Sequence, residues 1–303
     1  MANGFDLAKI KNSDFAGSIY LNDGEFVGYR PIARRKELDD YPSPYQTGLF
    51  DKFYDDVLSP MLETHRGCPF RCSYCHEGHV SYTKVNRFSM DRVLGDLDYI
   101  ARHVGDRVKN FLFADPNFGM FPTDIEIAEK LVQTSRDNGF PKTVFATTAK
   151  NVGERLIAIS ETLGRDVSMP IWMSVQSMTE NVLKNIRRSN INVESMVKVQ
   201  NKLKSIGSTT KSELILCLPG ETLETHLESL VKLMNLRVDQ VICYQLMLVN
   251  GSEMKTEYEM EGDPNLVTRW RVLPRSFSNI EGMTPSIEVE EIVVGRSGQV
   301  RQR

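Results

Sequence analysis

Three of the five cysteines in this chain fall within eight residues, at Cys68, Cys72 and Cys75, inside the run Glu63-Thr-His-Arg-Gly-Cys-Pro-Phe-Arg-Cys-Ser-Tyr-Cys-His. Thiols clustered in this way mark a metal site rather than a disulfide framework. Thiolates are soft ligands that suit iron–sulfur clusters and zinc. A cubane normally takes four cysteines, and only three are close together here. Three thiolates would leave one iron open to a cofactor or substrate, an asymmetry that catalysis can use. Zinc would need a fourth ligand, which His76 or His79 could supply. Structural zinc knuckles come as two cysteine pairs, whereas the first gap here is three residues. Cys217 and Cys243 lie in apolar runs and read as small core hydrophobes. Glu213 is an acid inside the apolar run SELILCL, and a buried acid needs a partner or a function.

Hydrophobic periodicity predicts the elements that must hold this loop. Strands are expected over 60–64, 110–114, 143–147, 170–175, 212–218 and 240–248. Helices are expected over 89–103, 123–138, 152–163, 180–187, 193–205 and 223–236, with apolar residues three and four apart, as in Ile125, Ala128, Leu131 and Val132. Gly139 and Gly207 stand where helices should stop, and Thr222 is placed to cap the last one. Six strand-then-helix units imply a parallel sheet with right-handed crossovers. They span about 190 residues against roughly 250 for an eight-stranded barrel. A partial TIM-type (β/α)6 barrel is therefore expected in this α/β chain, with an open doubly wound sheet as the alternative. The cysteine loop follows the first strand, and barrel active sites lie at the C-terminal ends of strands.

The expected organisation is a lead-in segment over 1–58, the barrel over 59–250 and an extension over 251–303. In the lead-in, IYLNDGEFVGYR reads as two short strands around an Asn-Asp-Gly turn. In the extension, EMKTEYEMEGDPNL is polar, SIEVEEIVV resembles one strand and RSGQVRQR looks disordered; the chain could stop short of its natural last element. With 41% hydrophobic and 25% charged residues the composition is that of a globular protein. A formal net charge of −3 argues against a dedicated nucleic-acid binder. No run approaches the roughly 18 apolar residues of a membrane span, and the N-terminus has no signal-peptide pattern, so a cytoplasmic location is expected.

The spacing Cys-x3-Cys-x2-Cys, with Tyr74 before the last cysteine, resembles the radical S-adenosylmethionine (SAM) superfamily. The resemblance runs over residues 59 to 250 with six motifs in order. It implies that Cys68, Cys72 and Cys75 bind a [4Fe–4S] cluster whose fourth iron is chelated by the SAM amino and carboxylate groups. Reductive cleavage would then yield a 5′-deoxyadenosyl radical that takes a hydrogen atom from a substrate, with the protein supplying position and exclusion of water. FLFADPNFG matches in place the family's glycine-rich turn for the SAM amino group, with Asp115 and Asn117 standing for the usual glycines. SVQSM resembles the ribose-contact segment, with Gln176 as its hydrogen-bonding residue. Arg188, twelve residues on, is implied to pair with the SAM carboxylate; a solvated helix-end charge beside Arg187 is the competing reading. The resemblance further implies that Glu213 lies near the ribose hydroxyls, that the apolar run 216–218 forms a wall for adenine, and that Tyr244 and Gln245 reach the same rim.

Within the superfamily, PSPYQTGLFDKF and LMLVNGSEM look like the subgroup that carries a cobalamin-binding domain before the core. Only 67 residues precede Cys68, and none forms an Asp-x-His-x-x-Gly motif. Cobalamin is therefore expected only through an upstream domain. The expected activity is a radical SAM reaction on a small molecule, with methyl transfer or skeletal change as its outcome and a flavodoxin or ferredoxin as electron donor. The alternatives are a tRNA methylthiotransferase, which would need an upstream cysteine set and a basic tail, and a non-enzymatic iron–sulfur or zinc module, which would need a fourth ligand.

Overall fold

The computed structural model describes residues 19–22, 24–28, 34–150, 153–261, 266–273 and 288–296, in two units, Met1–Leu38 and Asp39–Arg303. In the first, β1 (Tyr20–Asn22) and β2 (Glu25–Val27) pair antiparallel with Tyr20 opposite Val27. Gly24 takes a left-handed φ of 86° in the turn, as the Asn-Asp-Gly run predicts.

The second unit starts its parallel strands at β3 (Met61–Leu62). A short antiparallel ribbon of β4 (His65–Arg66) and β5 (Asn86–Arg87) then closes the base of the cysteine loop. The parallel series continues with β6 (Asn110–Phe113), β7 (Thr143–Phe145), β8 (Ile171–Trp172), β9 (Thr210–Leu216) and β10 (Gln240–Gln245). Helices α1 (Met90–His103), α2 (Asp124–Asn138) and α3 (Gly153–Leu163) precede β6, β7 and β8 in turn. The pair α4 (Glu180–Asn185) and α5 (Val193–Ser205) precedes β9, and α6 (Leu223–Asn235) precedes β10.

Hydrogen bonding runs β3-β6-β7 and β8-β9-β10. The two trios meet where Val144 N–H donates to the Ser168 carbonyl (2.8 Å) and Ser168 N–H donates to that of Lys142 (2.9 Å). The Thr148 hydroxyl staples the same seam, donating to the Trp172 carbonyl (2.6 Å) and accepting from Trp172 N–H (2.9 Å). Six parallel strands thus lie in chain order, and among the described residues β10 does not pair with β3, so the arc is an open partial barrel.

Local signals agree with these elements. Ser89 caps α1, Asn192 caps α5, and Thr222 forms a capping box with Thr225 on α6. Gly139 ends α2 at φ 74°, donating to the Ser135 carbonyl. Phe111, Val144 and Ile171 from adjacent strands are fully buried, with Ile100, Leu131, Ile159 and Leu203 of the helices packed in the same core.

Two features depart from expectation. The fourth strand keeps only Ile171–Trp172 in its ladder, because the chain bends beyond it and Gln176 adopts a left-handed φ of 65°. In the extension, the polar run forms helix α7 (Glu253–Glu261), and β11 (Leu266–Val272) pairs antiparallel with β12 (Val289–Arg296). The expected strand SIEVEEIVV overlaps β12, and its partner β11 is exposed over most of its length, so no buried alternation marks it in the sequence. Val293 of β12 is fully buried against Leu246 and Leu248. The run after Arg296 lies outside the described residues. Among the described residues no helix is long and apolar enough to cross a membrane.

Phe111 meets Phe113 and Phe140 edge-on at 5.0 and 6.2 Å between ring centroids. Phe111→Ala is expected to cost about 3–5 kcal/mol, seen as a lower denaturation midpoint; a loss under about 1 kcal/mol would show that the arc's core is not close-packed there.

Candidate active site

The cysteine loop is tied down at both ends and in the middle. Cys68 N–H donates to the Tyr82 carbonyl (2.9 Å) and Cys75 N–H to that of Cys72 (3.0 Å). Ser73 N–H donates to the Ile186 carbonyl (3.1 Å), and the Ser73 carbonyl accepts from Met254 N–H (2.9 Å), which fixes the loop to α4 and α7. Gly78 is required by close approach, since a Cβ there would collide with the Cys72 carbonyl. His76 uses both ring nitrogens structurally, on the Asn250 carbonyl and the Tyr82 hydroxyl (each 3.0 Å). His79 Nδ1 accepts from Ser81 N–H.

All five cysteines are free thiols, with Cys68 and Cys72 buried and Cys75 half-buried. Burial raises the Cys75 thiol above its ordinary value. Nitrogen donors converge on two of the three sulfurs. Asn117 Nδ2 lies 3.1 Å from Cys68 Sγ, Lys150 Nζ 3.7 Å from Cys72 Sγ, and an Arg188 terminal nitrogen 3.9 Å from that same sulfur. N–H donors and cations around sulfur stabilise thiolate, the form that binds iron. Among the described residues no three His, Cys, Asp or Glu side chains gather as one metal ion would need. Cysteines that each hold a different iron of a cubane are not required to gather so closely.

Beside the loop, acceptors are left waiting. Asn117 Oδ1 and Gln176 Oε1 are buried with no hydrogen-bond partner. Gln176 Nε2 donates to Glu213 Oε2 (3.3 Å), which also accepts from the Ser174 hydroxyl (2.6 Å). Tyr244 and Ile242 alternate on β10 to share a sheet face with Glu213, and burial, then the Glu213 charge, raises the Tyr244 phenol. Burial pushes the Tyr74 phenol far up as well. Unpaired buried carbonyls are costly without a ligand. The position of Asn117 against Cys68 Sγ fits a polar cofactor resting against an iron–sulfur cluster.

The neighbouring arginines part company. Arg187 is exposed and pairs with Glu253 and Glu257. Arg188 is buried, donating to Tyr74 Oη (3.2 Å), Asn190 Oδ1 (2.9 Å) and the Ser174 carbonyl. A solvated helix-end charge therefore describes Arg187 and not Arg188. Cys217 follows β9 in a left-handed conformation and is half-buried, whereas Cys243 is exposed on β10, not the core position its apolar neighbours suggested. Lys150, Ser174 and Asn190 escaped sequence reading. Lys150 carried one usable signal, a charge at the C-terminal end of the third strand.

Asp115 is anchored by the backbone through one oxygen, while its Oδ2 is buried with no hydrogen-bond partner. Its Oδ1 accepts from Thr64 N–H (2.8 Å) and His65 N–H (2.9 Å), clamping the end of β3 to that of β6. Burial pushes its carboxyl up to about 7 against those two hydrogen bonds. Burial also lowers the His65 imidazole to about 4, so their 3.3 Å contact joins neutral groups in mildly acid solution rather than an ion pair. A carboxyl raised on folding from 3.8 stabilises most at low pH and loses that contribution as pH climbs through about 7. Asn at position 115 keeps the acceptor without the charge. Asp115→Asn should gain melting temperature on the wild type as pH rises across that window; parallel pH profiles would refute the raised carboxyl.

The chain matches curated relatives over only part of their length. The chain is 31% identical over 245 residues to the cobalamin-dependent radical SAM methyltransferase TokK of Streptomyces tokunonensis, covering 76% of this chain and 35% of that protein. It is 29% identical over 276 residues to the 2-(S-pantetheinyl)-carbapenam-3-carboxylate methyltransferase of Streptantibioticus cattleyicolor, covering 88% of this chain and 39% of the relative. The chain thus spans between a third and two fifths of these relatives' length. The radical SAM methyltransferase TsrM of Kitasatospora setae has the same fold, with a TM-score of 0.62 at 14% identity, covering 84% of this chain and 52% of that one. The sequence profile of the radical SAM superfamily matches residues 62–233, more than half of the chain, and the chain belongs to that superfamily of enzymes, whose cofactors are a [4Fe–4S] cluster and SAM.

Proposed function

We propose that this chain is the core of a radical SAM methyltransferase acting on a small molecule. The observation that carries the reading is the convergence of N–H donors on Cys68 and Cys72 beside the orphaned carbonyls of Asn117 and Gln176. When bound, the cluster and SAM supply the electron transfer and S–C bond cleavage that start the reaction. Cys68, Cys72 and Cys75 hold three irons. Asn117 Oδ1 accepts from the SAM amino group. Arg188, oriented by Asn190 and Ser174, meets the carboxylate with Tyr74 beside it. Gln176 and Glu213 take the ribose hydroxyls, the run 216–218 covers adenine, and Tyr244 closes the rim.

Methyl transfer is favoured over skeletal change because both relatives described above are methyltransferases. Cobalamin would come from a domain outside these residues. Residues 59–250 are the catalytic core, with 1–58 leading into it and 251–303 extending it. A low-potential flavodoxin or ferredoxin supplies electrons, and five free thiols suit a cytoplasmic location.

Anaerobic reconstitution tests the reading. Cys68→Ala, Cys72→Ala and Cys75→Ala should each abolish the cluster's visible absorbance, while Cys217→Ala keeps it. The reduced wild type should release 5′-deoxyadenosine from SAM; an intact cluster that never does so, or a site that loads zinc, sinks the reading. Arg188→Gln should keep its iron and weaken SAM binding by roughly one to two orders of magnitude, the worth of a hydrogen bond to a charged group.

A further inference from the structure

We propose that Lys150 sets the reduction potential of the iron–sulfur cluster. The inference rests on the proposed [4Fe–4S] site and gives a role to a side chain which that reading leaves unused. Lys150 Nζ lies 3.7 Å from Cys72 Sγ and 4.9 Å from the centroid of the Phe70 ring. The ammonium is thus held between an aromatic face, which attracts cations, and a ligand sulfur.

The root of Lys150 is over-determined. Ala149 N–H donates to the Phe118 carbonyl (2.7 Å), and Phe118 N–H donates to that of Thr147 (2.9 Å). Thr148 is stapled to both backbone groups of Trp172. Thr148 and Ala149, the two residues before Lys150, are buried, so the backbone leading into Lys150 is packed and hydrogen-bonded.

Cys72 is only 3% exposed, so a charge beside its sulfur acts through a low dielectric. A cubane on three thiolates becomes one charge more negative when it takes one electron from a flavodoxin- or ferredoxin-class donor. A fixed cation at the ligand sulfur stabilises that more negative state and raises the potential. The other two donors serve less well. Asn117 brings a dipole but no net charge. Arg188 is engaged by Tyr74, Ser174 and Asn190 and is placed to meet the SAM carboxylate. Lys150 is therefore the cation left to tune the metal, a positioning residue acting through Cys72.

The test uses the full chain, reconstituted anaerobically, as wild type, Lys150→Gln and Lys150→Arg. Iron per chain is counted, and the midpoint potential is measured by redox titration followed by electron paramagnetic resonance. Lys150→Gln should keep its iron and titrate at a lower potential, while Lys150→Arg stays near the wild type. Equal midpoints for Lys150→Gln and wild type at equal iron content would overturn the proposal. So would loss of the cluster in Lys150→Gln, which would assign the lysine to metal retention. A wild type that loads no reducible cluster sinks the proposed function itself, and that failure is visible before any variant is compared.

Discussion

Keeping cysteine sulfurs largely out of water yet within reach of N–H donors is the constraint around which the upper rim of this arc is organised. A thiolate in a low dielectric is tolerable only when donors or cations meet it. Asn117 does so from the β6–α2 connection, Lys150 from the β7–α3 connection and Arg188 from the α4–α5 connection. Gln176, beyond β8, and Cys217, directly after β9, have left-handed backbones. Strain of this kind persists where packing over-determines it, as here beneath fully buried Leu214 and nearly buried Leu218.

Much of this was legible in the chain. The alternation of apolar runs and amphipathic helices is a direct record of a sheet covered by helices, and the cap at Thr222 marks a helix start that the structure keeps. The cysteine spacing placed the loop correctly because its geometry is local. Tertiary direction was not legible. Arg187 and Arg188 are indistinguishable as letters, and only the bend after α4 sends one to solvent and the other inward. The letters did not show that one oxygen of Asp115 holds β3 to β6 while its Oδ2 stays buried without a hydrogen-bond partner. Cys243 sits among apolar letters on a strand whose outer face is open.

The extension shows the same limit. Helix α7 is polar along its length and carries little periodic signal, yet its first turn is hydrogen-bonded to Ser73 of the cysteine loop. Lys255 of that helix lies between Glu259 and Glu291, so α7 is also pinned to β12. A helix fixed by partners distant in sequence leaves few marks in its own composition.

The seam between the two strand trios has a thermodynamic corollary. Few backbone bonds and one threonine hydroxyl cross it, yet Lys150 comes from one side and Arg188 from the other, and both reach Cys72. Anything that binds at that sulfur is gripped by both halves at once, and so favours the closed joint over any opened one. On the proposed function, iron held at Cys72 would by linkage tie metal loading to the mechanical cohesion of the arc, acting as a rivet across its seam.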